Sequence, residues 1–137
     1  MRHEHIETNS GLMIVQYVAA SLAAENKRLS QPAVADNFVT SAQQEDHISL
    51  GTPGALKALK VIDNTRRILA IEYLCAAQAI EFLPRLHLGQ GTQAAYDQLR
   101  AAIPSLEQDR YLSPDIAFIE DCMLQPDWLK RIEGRLN

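Results

Sequence analysis

A chain of 137 residues, 47% hydrophobic and carrying a formal net charge of −4, is long enough to bury one core and too short to expect two. Three Phe, four Tyr and one Trp stand against abundant Ala and Leu, a payload that suits helix packing and makes all-α the expected class. Basic residues are scattered or interleaved with acids, which argues against a nucleic-acid partner. His3, His5, His47, His87, Cys75 and Cys122 form neither His-Glu-x-x-His nor Cys-x-x-Cys, so no metal site is expected.

Residues 1–11 set Arg2 against Glu4 and Glu7, unlike the positive leader of a secretory signal. The apolar run from Leu12 to Ala24 is 13 residues long, short of the roughly 20 that span a bilayer. A cytoplasmic, soluble chain with no membrane partner is the expectation. Ser10 and Gly11 precede a helix from about Leu12 to Leu29. Met13, Ile14, Val15, Tyr17, Val18 and Leu22, with Ala19, Ala20, Ala23 and Ala24, make its centre apolar on nearly every face. Such a helix must be surrounded, and a chain of this size has few helices to do it, so burial by other subunits or another domain is expected.

From Ser30 to Gly51 the periodicity vanishes and a long ordered loop is expected, anchored by Val34, Phe38, Val39 and Ile48. The longest helix should follow, with Thr52 as N-cap, Pro53 as first residue and Pro84 as its stop. Its first half sets Lys57, Lys60, Asp63, Asn64 and Arg67 opposite Ala55, Leu59 and Ile62, an amphipathic pattern. Its second half, Ile68 to Leu83, belongs inside a bundle. Pro84 to Gly91 reads as a turn, Thr92 can cap a helix to Ile103, and Ser113-Pro114-Asp115 reads as N-cap, first residue and favourable acid of a helix ending near Leu124. A terminal amphipathic piece follows Pro126. The two cysteines fall in apolar helical pattern and read as buried, reduced thiols.

The densest chemistry lies in Gln44-Glu45-Asp46-His47, inside the segment Ser41 to Gly51. By residue chemistry alone these side chains serve equally to satisfy backbone amides near a helix N-terminus. Their setting is more specific. Asn9-Ser10-Gly11-Leu12-Met13 opens the first helix, Glu25-Asn26-Lys27 closes it, Pro32-Ala33 follows, and Tyr111-Leu112-Ser113-Pro114-Asp115 comes after the long helix. In that order these motifs, from Thr8 to about Ile116, resemble the C-terminal part of histidine ammonia-lyase, one of the aromatic amino acid lyases and aminomutases.

The resemblance implies a single helical domain over residues 1–137, part of the family's long-helix bundle and oligomeric. It implies deamination of L-histidine to urocanate and ammonia. The glutamate matching Glu45 lies in the family's active site near the substrate imidazole; Gln44 is a second substrate-binding candidate, and Asp46 and His47 orient the loop. Relatives acting on phenylalanine or tyrosine usually carry Asn-Gln-Asp-Val there, so the tetrad points to histidine, with a phenylalanine or tyrosine lyase or aminomutase as an alternative. Ser41 and Asn9 are read as structural.

The family's electrophilic ring is cyclised from Ala-Ser-Gly, and no Ala-Ser-Gly occurs in these 137 residues. The catalytic tyrosine and the carboxylate-binding arginine belong to family regions preceding Thr8, and Tyr17, Tyr73 and Tyr111 do not stand at that tyrosine's place. The chain is therefore expected to hold no cofactor of its own, to be inactive alone, and to partner with copies of itself and with an N-terminal lyase portion. A non-catalytic helical oligomerisation or binding module is the competing expectation.

Overall fold

The computed structural model describes residues 10–83 and 87–135. The expectations for Arg2, His3, Glu4, His5, Glu7, Asn9 and the Pro84 stop lie outside the described residues. Among the described residues five α-helices follow in order: α1 (Met13–Leu29), α2 (Gly51–Ile80), α3 (Gln90–Arg100), α4 (Ser113–Met123) and α5 (Pro126–Glu133). Two short 3₁₀ turns, Ala33–Asp36 and Ser41–Gln43, interrupt the loop between α1 and α2. Among the described residues there is no strand, only one isolated antiparallel bridge between Thr40 and Glu45. The all-α expectation holds.

α2 is the axis of the structure. Its 30 residues extend roughly 45 Å at 1.5 Å per residue. α1 and α4 both pack along it, and α5 joins α3 to α4. The core draws on α1 to α4: Val15 from α1, Ala70, Ile71, Leu74 and Ala77 from α2, Leu99 from α3, Ile103 from the turn after it, and Ile116 and Ile119 from α4. Tyr73 seals one margin. Its hydroxyl donates to the Ala95 carbonyl at 2.5 Å, and its ring meets Trp128 edge-on at 6.3 Å. Burial, reinforced by Cys122 nearby, pushes the Tyr73 phenol up to about 12.

Two polar devices fasten the helices. Asp109, between α3 and α4, accepts the backbone N–H groups of Ser10 at 2.6 Å and Gly11 at 2.8 Å. These amides lie at the start of α1, where no intrahelical acceptor is available, so a carboxylate nearly a hundred residues away does the work of a cap. Gly11 sits at φ 60°, which a side chain would resist. The second device lies at the end of α2. Gln78 Oε1 accepts the buried Leu106 N–H at 2.8 Å and Arg100 Nη2 at 3.3 Å, while its Nε2 donates to Glu81 Oε2 at 3.0 Å. Glu81 Oε1 also accepts from Ser105 and Tyr96, and Arg100 Nε lies 2.7 Å from it.

Several local expectations are corrected. α2 begins at Gly51 with Leu50 in the N-cap position, so Thr52 is not the cap and Pro53 is the third helical residue, tolerated there because its missing N–H would be unpaired in any case. α3 begins at Gln90 behind Gly89, and α4 begins at Ser113 behind Leu112, so neither Thr92 nor Ser113 serves as a hydroxyl cap. Asp115 does lie in the first turn of α4, where it accepts two hydrogen bonds from Arg110 at 3.2 and 2.8 Å. Cys75 and Cys122 are free and half-buried rather than buried.

In the first half of α2 the apolar side does not turn inward: Ala55, Leu59 and Ile62 are exposed, as Lys60, Asp63 and Arg67 are on the polar side. Asn64 is buried, 3% exposed, whereas Leu59 and Ile62 stand 59% and 57% exposed. The reason is the α1 seam, which is joined by polar groups: Asn64 Nδ2 donates to Asn26 Oδ1 at 2.9 Å and Glu25 Oε2 at 3.0 Å, and Lys57 Nζ donates to the Gln31 carbonyl. An asparagine with its donors satisfied can be buried at little cost.

Candidate functional site

The loop from Asn37 to Leu50 delivers the polar tetrad Gln44-Glu45-Asp46-His47 to the base of α2. Its backbone is unusual for a segment without glycine. Ser41, Ala42 and Gln43 take φ of 52°, 54° and 71°, and His47 and Leu50 take 52° and 48°. Left-handed backbone costs an L-residue about 1–2 kcal/mol. Such geometry persists only where surrounding contacts over-determine it, and it concentrates at functional sites.

The contacts that hold it form a short antiparallel ladder. Thr40 N–H donates to the Glu45 carbonyl at 2.9 Å, and Glu45 N–H donates back to the Thr40 carbonyl at 3.3 Å. Gln44 N–H donates to the Ser41 carbonyl at 3.1 Å and closes the reversal between them. Further out, the Asn37 side chain bonds both backbone groups of one residue: its Nδ2 donates to the Ile48 carbonyl at 2.8 Å, and its Oδ1 accepts the Ile48 N–H at 3.1 Å.

The side chains of Gln44, Glu45, Asp46 and His47 are all exposed. Thr40 Oγ1 approaches Glu45 Oε2 at 3.4 Å, too long to fix the carboxylate firmly. Glu45 is thus held through its backbone while its carboxylate remains available as a charged acceptor. Among the described residues, neither the Asp46 nor the His47 side chain supplies a hydrogen bond that fastens the loop. That work falls to Asn37 and Thr40, which sequence reading passed over. An amide side chain in a glycine-free loop was the available signal, since Asn commonly substitutes for a backbone partner. Ser41 contributes its left-handed backbone and its carbonyl to the reversal.

Apolar surface flanks this loop. Phe38 and Val39 are 60% and 58% exposed, and on α2 the stripe Leu56, Leu59, Ile62 and Leu69 runs away from it, all about half exposed or more. On α1, Met13, Ile14, Tyr17 and Val18 form a second uncovered stripe. At the far end of α1 the two motifs of the resemblance meet. Ser10 and Gly11 are latched by Asp109, and with Tyr111, Leu112 and Ser113 they line a groove of about 370 Å³ floored by Val15 and Ile116. Among the described residues, no helix is long and apolar enough to cross a membrane.

Comparison with known proteins agrees with this geometry. The sequence pattern of the family described as "Aromatic amino acid lyase" matches residues 2–101. A histidine ammonia-lyase from Natranaerobius thermophilus is 46% identical over 129 residues, which are 94% of this chain and 25% of that protein. Among solved structures, histidine ammonia-lyase from Trypanosoma cruzi superposes with a TM-score of 0.85 at 38% identity, over 93% of this chain and 25% of that one. Tyrosine aminomutase from Streptomyces globisporus superposes with a TM-score of 0.84 at 34% identity, over 93% and 24% of the two chains. The chain thus spans about a quarter of the length of the relatives it matches. With most of its residues inside the family pattern and its helices superposing on the helical core of solved members, the chain belongs to the aromatic amino acid lyase family.

Proposed function

We propose that this chain forms part of the substrate pocket of a histidine ammonia-lyase, which eliminates ammonia from L-histidine to give urocanate. Glu45 faces the substrate imidazole, and Gln44 lines the same pocket. The observation that carries this reading is a carboxylate presented outward on a loop whose backbone is fixed by its own ladder. Imidazole offers an N–H donor and can carry positive charge; an ionised carboxylate accepts the first and pairs with the second. A phenol ring presents neither a ring N–H nor a cation. The fold alone does not separate these substrates, because the tyrosine aminomutase superposes almost equally well.

The electrophilic ring of such lyases supplies the electron sink for elimination. Neither the sequence, which contains no Ala-Ser-Gly, nor the carboxamide and carboxylate side chains of the loop fit them to form that ring, so this chain's part is binding and orientation. The ring, the catalytic tyrosine and the carboxylate-binding arginine come from an N-terminal lyase portion, and the uncovered stripes on α1 and α2 are the surfaces where that portion and further copies of this chain pack. Work within the cytoplasm follows from this reading.

The test is ultraviolet detection of urocanate from histidine, with the chain alone and with an N-terminal lyase portion carrying Ala-Ser-Gly. Activity is expected only in the mixture. Glu45→Gln in that mixture should lower kcat/KM roughly ten- to a hundredfold, the scale of one hydrogen bond to a charged group. Unchanged kcat/KM would overturn the role of Glu45. Inactivity of the mixture with the unaltered chain would favour a non-catalytic oligomerisation module built from the same apolar faces.

A further inference from the structure

The ladder in the loop has an outer rung that is not backbone on both sides. Thr40 pairs with Glu45 through two backbone hydrogen bonds; three residues back and three residues on, Asn37 faces Ile48 in the same antiparallel register. At that rung the Asn37 carboxamide stands in for a peptide group, donating to the Ile48 carbonyl at 2.8 Å and accepting the Ile48 N–H at 3.1 Å. On the returning side Glu45 forms the inner rung, and only Asp46 and His47 separate it from Ile48 at the outer one. One end of that stretch is fixed by Thr40 and the other by Asn37.

We propose that Asn37 is the positioning residue for Glu45. This inference rests on the proposed role of Glu45 as the carboxylate that meets the substrate imidazole. The physical need is clear from the backbone. Ser41, Ala42, Gln43 and His47 all sit at positive φ, a conformation that each would leave if the chain were free to relax. The Thr40 rung lies beside the reversal and restrains its near side. It does not restrain His47, which lies beyond Asp46 and immediately before Ile48. Without the Asn37 clasp, His47 returns to negative φ, the 45–48 segment swings about the Thr40 rung, and the carboxylate of Glu45 leaves its place. Direct contacts of Glu45 do not prevent this, because the 3.4 Å approach of Thr40 Oγ1 is too weak. Asn37 touches no reacting atom; it acts through the loop.

Two experiments test the assignment. In the chain itself, Asn37→Ala should speed hydrogen–deuterium exchange at the Ile48 and Glu45 amides at least several-fold, while amides in the second half of α2 keep their protection. Unchanged exchange at both loop amides would overturn the clasp whether or not the chain works in a lyase. In the complemented enzyme, Asn37→Ala should raise KM for histidine and lower kcat/KM roughly ten- to a hundredfold, the scale on which misplacing a contact group acts. Asn37→Asp keeps the acceptor for the Ile48 N–H and loses the donor, so it should fall between the two. A variant that lost only active protein would lower apparent kcat at unchanged KM, and that result overturns positioning. Failure of the Glu45 reading is separable: Glu45→Gln would then leave kcat/KM unchanged while Asn37→Ala still loosened the loop.

Discussion

Along α2, the second half is packed by α3, α4 and the start of α1, whereas the first half is met chiefly by the rest of α1 and the loop. Ala70, Ile71, Leu74 and Ala77 are buried among Leu99, Ile103, Ile116 and Ile119. Twelve or so residues earlier on the same helix, Leu56, Leu59 and Ile62 are each more than half exposed, while Asn64 is sealed into a polar seam with Asn26 and Glu25. One half is an ordinary core with polar edges; the other is partly inverted, burying an asparagine where helices meet and leaving leucines and an isoleucine uncovered where they do not. An inverted surface is a poor way to stabilise a lone chain and a good way to receive other helices. The candidate loop sits at that uncovered end, and the packed core lies at the other.

The contrast is broken most directly by cavities. Leu99 is fully buried, and Leu99→Ala should cost about 2–5 kcal/mol, read as a lower urea midpoint. Leu59→Ala removes the same atoms from an exposed face and should stay within about 0.5 kcal/mol. Comparable costs for the two would show that the first half of α2 has a core of its own.

A smaller effect is expected where the packed half carries its polar edge. Gln78→Leu keeps the volume near enough but strands the buried Leu106 N–H and takes a partner from Arg100 and from Glu81. A buried donor left unpaired costs about 1–3 kcal/mol. Urea denaturation of the Gln78→Leu chain should fall in that interval, below Leu99→Ala. A neutral result would mean that the Arg100–Glu81 pair closes over the gap without help from Gln78.

Much of this architecture was legible from local pattern. Five helices in the right order follow from apolar periodicity, Pro126, and Ser113-Pro114-Asp115, because helix starts and stops are short-range chemistry. The contiguous tetrad was legible for the same reason, as neighbours in sequence share a loop. What escaped was long-range. Nothing near Ser10 announces that Asp109 will cap its amide, and nothing in the pattern of Lys57, Asn64 and Leu59 reveals which side faces α1. Amphipathic reasoning assumes that the apolar stripe turns inward, and it fails on a helix whose apolar stripe stays uncovered within the chain. Likewise the tetrad drew attention from Asn37, whose role appears only when Ile48 folds back on it.

The smallest effect on the chain itself should come from Leu59→Lys, and there the contrast is sharpest. With Leu59 59% exposed, a lysine in its place keeps its ammonium in water and its stem along the helix, so urea stability should change by no more than about 0.5 kcal/mol. Association should respond differently. If α2 pairs with another copy through Leu56, Leu59, Ile62 and Leu69, the new charge must either be desolvated or force the helices apart, and a desolvated unpaired charge costs several kcal/mol. Sedimentation velocity over a concentration series should show the unaltered chain self-associating and Leu59→Lys remaining monomeric. Association that survives the lysine would move the interface away from this stripe, to α1 and its Met13, Ile14 and Tyr17 face. A large loss of urea stability in the monomer would instead mean that Leu59 is covered within the chain, and the opposition between the two halves of α2 would fall with it.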